Sequence, residues 1–397
     1  MDYKPAIIDA LTTLEQSDTA RGERFAAAAY KKVLGQLKVL AGPVRSADDL
    51  VGIDGIGAKM KLKLSEIFTT GKLRAAEEAK ADPDFVAYNE LMKIYGVGPV
   101  KAKQFVDAGI NGVEAIRKLV AKDPTALTAA QKLGLKYYED TQERIERSEI
   151  DEHRVVLQKA FTAVGLTMEI VGSYRRGARD SGDIDVLVTD GSRTHPLGPP
   201  RGAGVTGPVA LGKSKMSKAF KAAVDSLEAD GYLLGILARG PTKTLAYAGI
   251  ERAGQKKGRR LDLLLTDPEE YPYAILYFTG SDQFNIAMRR WALDYGYTMN
   301  EHGMRHVDRA EGSGEHGMVS TGDNSPAPPM SIERDIFDFL GLAWVAPTER
   351  RDGTQVVAAV AAVAAVAPAA AEPSDEEKLV ALRAARRLAA AAKLKKE

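Results

Sequence analysis

The run Gly172-Ser173-Tyr174-Arg175-Arg176-Gly177-Ala178-Arg179-Asp180-Ser181-Gly182-Asp183-Ile184-Asp185 constrains this chain more than any other, and the apolar Val186-Leu187-Val188 follows it at once. The apolar run predicts a strand that Asp183-Ile184-Asp185 enters. In a strand, side chains two apart share a face, so two carboxylates stand side by side while Ile184 turns into a core. Such carboxylates repel unless a cation lies between them or one takes a proton. Just upstream, Gly172-Ser173 predicts a tight turn with a hydroxyl, and Arg175-Arg176 supplies two guanidinium forks suited to phosphate oxygens. Carboxylates for a hard metal beside donors for phosphate outline a phosphoryl-transfer site. The plainer alternative is a solvated turn and an ordinary edge strand.

Composition narrows the rest. The 397 residues allow two to four compact units, and 27% charged with 45% hydrophobic residues is an ordinary soluble balance. There is no cysteine, which removes disulfides, thiolate metal sites and thiol nucleophiles and agrees with an intracellular protein. The amino terminus has no signal-type hydrophobic core, carries Asp2 and Glu15, and predicts no transit peptide. No apolar run is long enough to span a bilayer. The net charge of +1 means that any basic nucleic-acid surface is local.

Helical periodicity opens the chain at Ile7-Ile8, Leu11 and Leu14, and returns at Phe25, Tyr30, Val33-Leu34 and Leu37. Val51-Gly52-Ile53-Asp54-Gly55-Ile56-Gly57 then predicts a turn between helices, with a new helix near Ala58. A turn of this kind points amides outward and can hold a backbone phosphate. The motif resembles a helix-hairpin-helix. Lys59 and Lys63 share a face of the next helix, with Lys61 between them. Leu91-Met92-Lys93-Ile94-Tyr95-Gly96-Val97-Gly98-Pro99 repeats the device, with Pro99 near a helix start. Two copies suggest two sequence-independent grips on a DNA backbone. A plain turn between two helices is the alternative for either copy.

Beyond the central run, residues 191–212 are rich in Gly and Pro and predict a loop. Tyr232-Leu233-Leu234 and Thr244-Leu245-Ala246-Tyr247 predict strands, with Phe220, Val224 and Leu227 on a helix before them. Arg259-Arg260-Leu261-Asp262-Leu263-Leu264-Leu265 predicts a buried strand carrying one acidic residue, Asp262, which is costly unless paired or on a metal. Tyr277-Phe278-Thr279-Gly280-Ser281-Asp282-Gln283-Phe284-Asn285 reads from its residues as a hydrophobic strand, a turn, and a helix capped near Ser281. Val356 to Pro373 is Ala/Val-rich, and a helix start at Ser374 leads to a basic end at Lys393-Leu394-Lys395-Lys396. That tail reads as a solvated helix, with nuclear import, a partner helix or DNA contact as alternatives.

Together, Gly-Ser-X-Arg-Arg-Gly, Gly-Asp-X-Asp and Tyr-Phe-Thr-Gly-Ser-Asp are similar to the signature of the nucleotidyltransferase superfamily, and in this extended form to family X DNA polymerases of the polymerase beta type. The resemblance covers nearly the whole chain except the tail. It implies an α+β multidomain fold: an N-terminal helical helix-hairpin-helix domain, then a polymerase-beta-like nucleotidyltransferase domain of fingers, palm and thumb. The expected divisions are 1–80 (lyase-like, first hairpin), 81–150 (DNA-binding, second hairpin), 151–262 (catalytic palm), 263–347 (nucleotide selection) and 348–397 (tail).

The resemblance implies template-directed repair synthesis across short gaps, of the base excision repair type, by two-metal nucleotidyl transfer. Asp183, Asp185 and Asp262 would hold two Mg2+ ions, with Asp262 taking the primer proton and Arg260 orienting it. Ser173, Arg176, Gly182 and Arg144 would hold the triphosphate. Tyr277, Phe278 and Gly280 would line the sugar, Asp282 would pack on the base, and Asn285 and Arg289 would reach the minor groove. Lys243 would touch the template strand. Lys63 would be the Schiff-base lysine of a 5′-deoxyribose-phosphate lyase, with Lys59 on the 5′-phosphate and Tyr30 beside them, although Phe25 and Ala26 stand where the family usually has His and Lys. Clustered ammonium groups lower one another's pKa, which suits an amine nucleophile. A basic face that only grips phosphate is the alternative. Carbonyls of Val51, Ile53 and Ile56, and of Met92, Ile94 and Val97, would each hold a Na+ or K+ ion. Expected partners are gapped or nicked DNA and deoxynucleoside triphosphates, for a nuclear monomer. A template-independent transferase and a DNA-clamping protein with an inactive site are the rival readings.

Overall fold

The computed structural model describes residues 1–40, 42–190, 212–307 and 325–359. The Gly/Pro-rich loop expectation at 191–212, apart from its last residue, and the tail expectations beyond residue 359 lie outside the described residues.

The amino-terminal part is helical. Ile7, Leu11 and Leu14 recur at helical spacing on α1 (Lys4–Arg21), which stops where Gly22 takes φ +85°. Helix α2 (Arg24–Val39) turns Val33, Leu34 and Leu37 inward, and α3 (Ala58–Thr70) turns in Met60, Leu64 and Ile67. These residues form one core with Leu73, Ala76 and Ala79 around α4 (Arg74–Ala81). Each buried Leu or Ile there contributes about 1.5–3 kcal/mol. A second core gathers Phe85, Tyr88 and Leu91 of α5 (Pro83–Met92), Ala102 and Phe105 of α6 (Pro99–Asp107), and Ile116 of α7 (Val113–Lys122). Pro83 and Pro99 each sit in a first helical turn, where the missing N–H costs nothing. Thr128 and Gln131 form a capping box on α8 (Ala129–Lys136), and α9 (Tyr138–Gln142) follows.

The two-residue strand β1 (Ile145–Glu146) leads into α10 (Arg147–Ala163). Then come β2 (Leu166–Ile170), the short helix α11 (Gly172–Arg175), β3 (Asp180–Ser181) and β4 (Ile184–Asp190). Strand β4 begins at Ile184, so Asp183 stands just ahead of the strand rather than in it. Ile184, Val186, Leu187 and Val188 are fully buried, as a strand covered on both faces requires. Strand β2 pairs antiparallel with β4, Ile170 opposite Val186 and Met168 opposite Val188.

Helix α12 (Lys213–Ala229) precedes β5 (Leu233–Arg239), β6 (Lys243–Ala248) and β7 (Arg259–Leu265). The strand order is β2-β4-β7-β6-β5. The remaining elements are α13 (Tyr271–Thr279), α14 (Asp282–Asp294), the hairpin β8 (Tyr297–Asn300) with β9 (Gly303–His306), and α15 (Glu333–Phe339). Tyr277 and Phe278 therefore lie on a helix, where the residue pattern suggested a strand. Ile275 and Leu276 are buried all round α13, so its sequence carries no helical stripe to distinguish it from a buried strand. The predicted cap at Ser281 is present: its hydroxyl accepts from the Phe284 N–H at 3.3 Å.

The chain divides into two compact units. One takes residues 1–145 and 227–262; the other takes the described residues of 146–226 and 263–397. No described helix is long and apolar enough to cross a membrane.

Candidate functional site

In the second unit the site is built on α11. Val171 donates its N–H to the Asp185 carbonyl at 2.9 Å, which pins the start of α11 to β4. Gly172 adopts φ +59°, and a Cβ there would lie 2.6 Å from Asp185 Oδ2. Only glycine satisfies both conditions, so the glycine and the carboxylate are one structural device. The Ser173 hydroxyl donates to the Ser181 hydroxyl at 2.7 Å. Gly182 and Asp183 are exposed, Ile184 is buried, and Asp185 is half-buried.

The two arginines behave differently. Arg176 donates from Nη1 to the Thr279 carbonyl at 2.6 Å. Burial pulls its pKa down, while Asp282 and Asp185 act in the opposite sense, and a guanidinium stays charged under such conditions. Arg175 is not a phosphate donor, as the motif suggested. Its side chain is 6% exposed and fully engaged: Nε with Glu169 at 2.9 Å, Nη1 with the Thr279 hydroxyl at 2.7 Å, and Nη2 with Glu333 at 3.0 Å. Glu333 also pairs with Arg350, which is buried among Phe284, Phe337 and Trp344. Glu169, Thr279, Glu333 and Arg350 were not singled out from the sequence.

Past Thr279 the chain passes through Gly280 at φ +66°, and the Gly280–Ser281 peptide is cis. A Cβ on Gly280 would lie 3.1 Å from Arg176 Nη1, so the backbone here runs close to that guanidinium. Tyr277 and Phe278 meet edge to face at 5.1 Å between centroids. Asn285 donates to the Tyr277 carbonyl at 2.7 Å, and Arg289 lies 4.8 Å over the Tyr277 ring. Tyr277, Asn285 and Arg289 line one hollow with Tyr273, Met299 and Asn300. Asp282 is exposed on the first turn of α14. The structure thus brings Asp185, Arg176, Gly280, Asp282, Tyr277, Asn285 and Arg289 into one unit.

Ser173, Gly182, Asp183 and Phe278 belong to the same unit, and the first unit holds the remaining expected residues. Asp262 lies on β7, and Arg260 holds it by an Nη2 to Oδ1 contact of 2.9 Å while stacking 4.8 Å over Tyr95. Lys243 opens β6 and Arg144 follows α9; both are exposed. In the first hairpin Gly55 takes φ +95° and Gly57 precedes α3; in the second Gly96 takes φ +79° and Gly98 precedes α6. Val51 is exposed, and Ile53, Ile56 and Met92 are half-buried. Ile94 and Val97 are buried, and the Ile94 carbonyl accepts from the Val97 N–H at 3.0 Å. That leaves its second lone pair for an ion. Lys59 and Lys61 are exposed and Lys63 is half-buried. Asp18 of α1 interacts electrostatically with both Lys63 and Tyr30. Burial pushes the Tyr30 hydroxyl up, and Asp18 adds to the shift. Phe25 is 95% exposed.

Among the described residues no three carboxylate or imidazole groups gather into an ion site by themselves. A magnesium-type ion characteristically takes one or two carboxylates and completes its shell with substrate phosphates and water, and Asp185, half-buried beside Gly172, is an oxygen donor of that class.

Comparison with known proteins gives four consecutive matches. Residues 2–73 match a helix-hairpin-helix domain, and 89–142 the fingers domain of DNA polymerase lambda. Residues 144–268 match the DNA polymerase beta palm, and 274–351 the DNA polymerase beta thumb. The chain is 32% identical over 358 residues to DNA polymerase lambda of Rattus norvegicus, covering 88% of this chain and 56% of that protein. It is 30% identical over 335 residues to DNA polymerase lambda of Arabidopsis thaliana, covering 83% and 59%. The chain therefore spans less than two thirds of either relative's length.

Proposed function

We propose that this chain, which belongs to the family X DNA polymerases, is a template-directed DNA polymerase that fills short gaps in damaged duplexes. The observation that carries the proposal is the seat of Asp185 against Gly172, with Arg176 reaching across to Thr279 and the Gly280 backbone. A carboxylate for a divalent ion, a cation for phosphate and a close backbone wall for a sugar occur there in one unit.

In this proposal Ser173, Arg176, the Gly182 N–H and Arg144 bind the β- and γ-phosphates of a deoxynucleoside triphosphate. Arg176 exchanges its bond to the Thr279 carbonyl for phosphate oxygens. Tyr277, Phe278 and the Gly280 backbone crowd the 2′ position and exclude ribose. Asp282 packs on the incoming base, while Asn285 and Arg289 meet minor-groove edges and Lys243 the template strand. Asp183, Asp185 and Asp262 are the residues that would hold two Mg2+ ions. Bound there, they supply Lewis-acid polarisation of the phosphoryl oxygens and a lowered pKa at the primer 3′-hydroxyl. The 3′-oxygen bonds to the α-phosphorus, the bond to pyrophosphate breaks, and Asp262, oriented by Arg260, takes the hydroxyl proton. The residues act mainly by positioning and charge stabilisation.

The hairpins grip the two backbones through outward amides, each with a Na+ or K+ ion on the carbonyls of Val51, Ile53 and Ile56, or Met92, Ile94 and Val97. A second activity, 5′-deoxyribose-phosphate lyase at Lys63 with Lys59 on the 5′-phosphate, is supported by the half-buried position of Lys63 and by Asp18, which interacts electrostatically with Lys63 and with Tyr30. A nuclear monomer suits this work.

The test is extension across a one-nucleotide gap with and without a 5′-phosphate. Templated incorporation stimulated by the phosphate is expected. Extension of a single strand without template would instead favour a template-independent transferase. Tight binding without any extension would favour a DNA clamp.

A further inference from the structure

Four charges lie together in the second unit: Arg175, Glu333 and Arg350 are buried, and the Glu169 side chain is 20% exposed. Arg175 and Arg350 carry two positive charges, and Glu333, 1% exposed, is shared between them. One buried carboxylate leaves one cation in excess, which is costly in a low-dielectric surrounding. Glu169 supplies the missing charge through its 2.9 Å contact with Arg175 Nε. The other oxygen of Glu169 accepts from the Tyr271 hydroxyl at 3.3 Å.

Glu169 differs from Glu333 in where it is mounted. It stands on β2, opposite Leu187 of β4, so it belongs to the sheet that carries Asp185. Glu333 stands on α15. Arg175 is thus tied to the sheet by one carboxylate and to the helical part by the other. Thr279 closes the arrangement. Its hydroxyl accepts from Arg175 and its carbonyl from Arg176, and the next residue is Gly280. The triphosphate arginine and the sugar wall therefore share one residue, and Arg175 sets where that residue sits relative to the sheet.

We propose that Glu169 is a positioning residue which, through Arg175 and Thr279, couples the grip on the triphosphate to the discrimination of the sugar. The inference rests on the polymerase function proposed above. Without the charge at 169, Arg175 is held by Glu333 alone, and α11 and Thr279 shift together away from the β2 anchor. Triphosphate affinity and exclusion of ribose then weaken in parallel. The chemical step at saturating nucleotide is retained, because Glu169 touches none of the carboxylates that serve it.

The experiment compares wild type, Glu169→Gln and Tyr271→Phe in single-nucleotide gap filling with deoxy- and ribonucleoside triphosphates. For Glu169→Gln the KM for the deoxynucleotide is expected to rise about tenfold, as for loss of one charged hydrogen bond. Deoxy-over-ribo preference falls with it, by about fivefold, while kcat stays within about twofold. Tyr271→Phe, which keeps the Glu169–Arg175 pair, stays within about twofold on every count. An unchanged KM and sugar preference in Glu169→Gln would overturn the coupling, as would a fall in kcat alone, the mark of a merely structural role. No templated incorporation by wild type would instead overturn the polymerase function, and the inference with it.

Discussion

Replacing Gly172 by Ala tests the seat of Asp185, the carboxylate proposed to be catalytic, directly. Gly172 lies at φ +59°, which costs an L-residue about 1–2 kcal/mol. The new methyl would also start 2.6 Å from Asp185 Oδ2, whereas ordinary contact begins at 3.4 Å. Relief requires the carboxylate or α11 to move by about 0.8 Å. Crowding of this kind costs about a further 1–3 kcal/mol. A shift near 1 Å at a reacting centre lowers the rate on the order of 100-fold. Gly177→Ala is the control. It has φ +79° and a nearest contact of 3.2 Å to the Thr348 methyl, so it carries a similar backbone cost with the carboxylate left alone. Urea unfolding and single-turnover gap filling should therefore separate the two: both variants lose stability, but only Gly172→Ala loses rate. A wild-type rate in Gly172→Ala, or equal rate losses in both variants, would refute the argument that this glycine positions Asp185.

Asp262→Ala should lower primer extension by more than about a thousandfold, as loss of a principal electrostatic group does, yet leave gapped-DNA affinity nearly intact in a filter or anisotropy assay. Lys63→Ala should abolish borohydride trapping on DNA with an abasic 5′ end; no trapping by wild type would remove the lyase proposal. His302 donates from Nδ1 to a Glu270 carboxylate oxygen at 3.0 Å, and that contact raises its pKa above the usual 6.5. A raised folded-state value means that its contribution to stability is full below pH 6.5 and is lost as pH rises through the raised pKa. His302→Gln should therefore narrow the stability difference between slightly acidic and alkaline buffer; an unaltered pH profile of the unfolding midpoint would contradict this.

The parts of the fold that were readable are those where a single local rule decides. Helix starts at Ala58 and Pro99 follow from Gly-X-Gly turns, and β4 follows from an uninterrupted apolar run. The helix α13 was not readable, because a segment buried on every side shows neither a period of two nor of 3.6. The motif also made Arg175 and Arg176 look equivalent. Their difference depends on Glu333, which is 158 residues from Arg175 along the chain, and on Arg350 beyond it. No local pattern encodes such a pairing.

Glu169 is the instructive case, because its signal was present in local form. Met168-Glu169-Ile170 places one carboxylate inside an apolar strand, as Leu261-Asp262-Leu263 does. One physical rule covers both: an ionised group set among apolar neighbours is costly unless paired, coordinated or protonated. Applied evenly, that rule marks two positions. The structure then sorts them by partner. Asp262, half-buried, meets Arg260 two residues away on its own strand through one oxygen. Glu169 spends one oxygen on Arg175 and the other on Tyr271. A carboxylate with both oxygens committed to protein donors is poorly placed to bind metal or take a proton. What remains open to it is to hold a cation in place, and the cation it holds adjoins Arg176, the arginine proposed to grip the triphosphate.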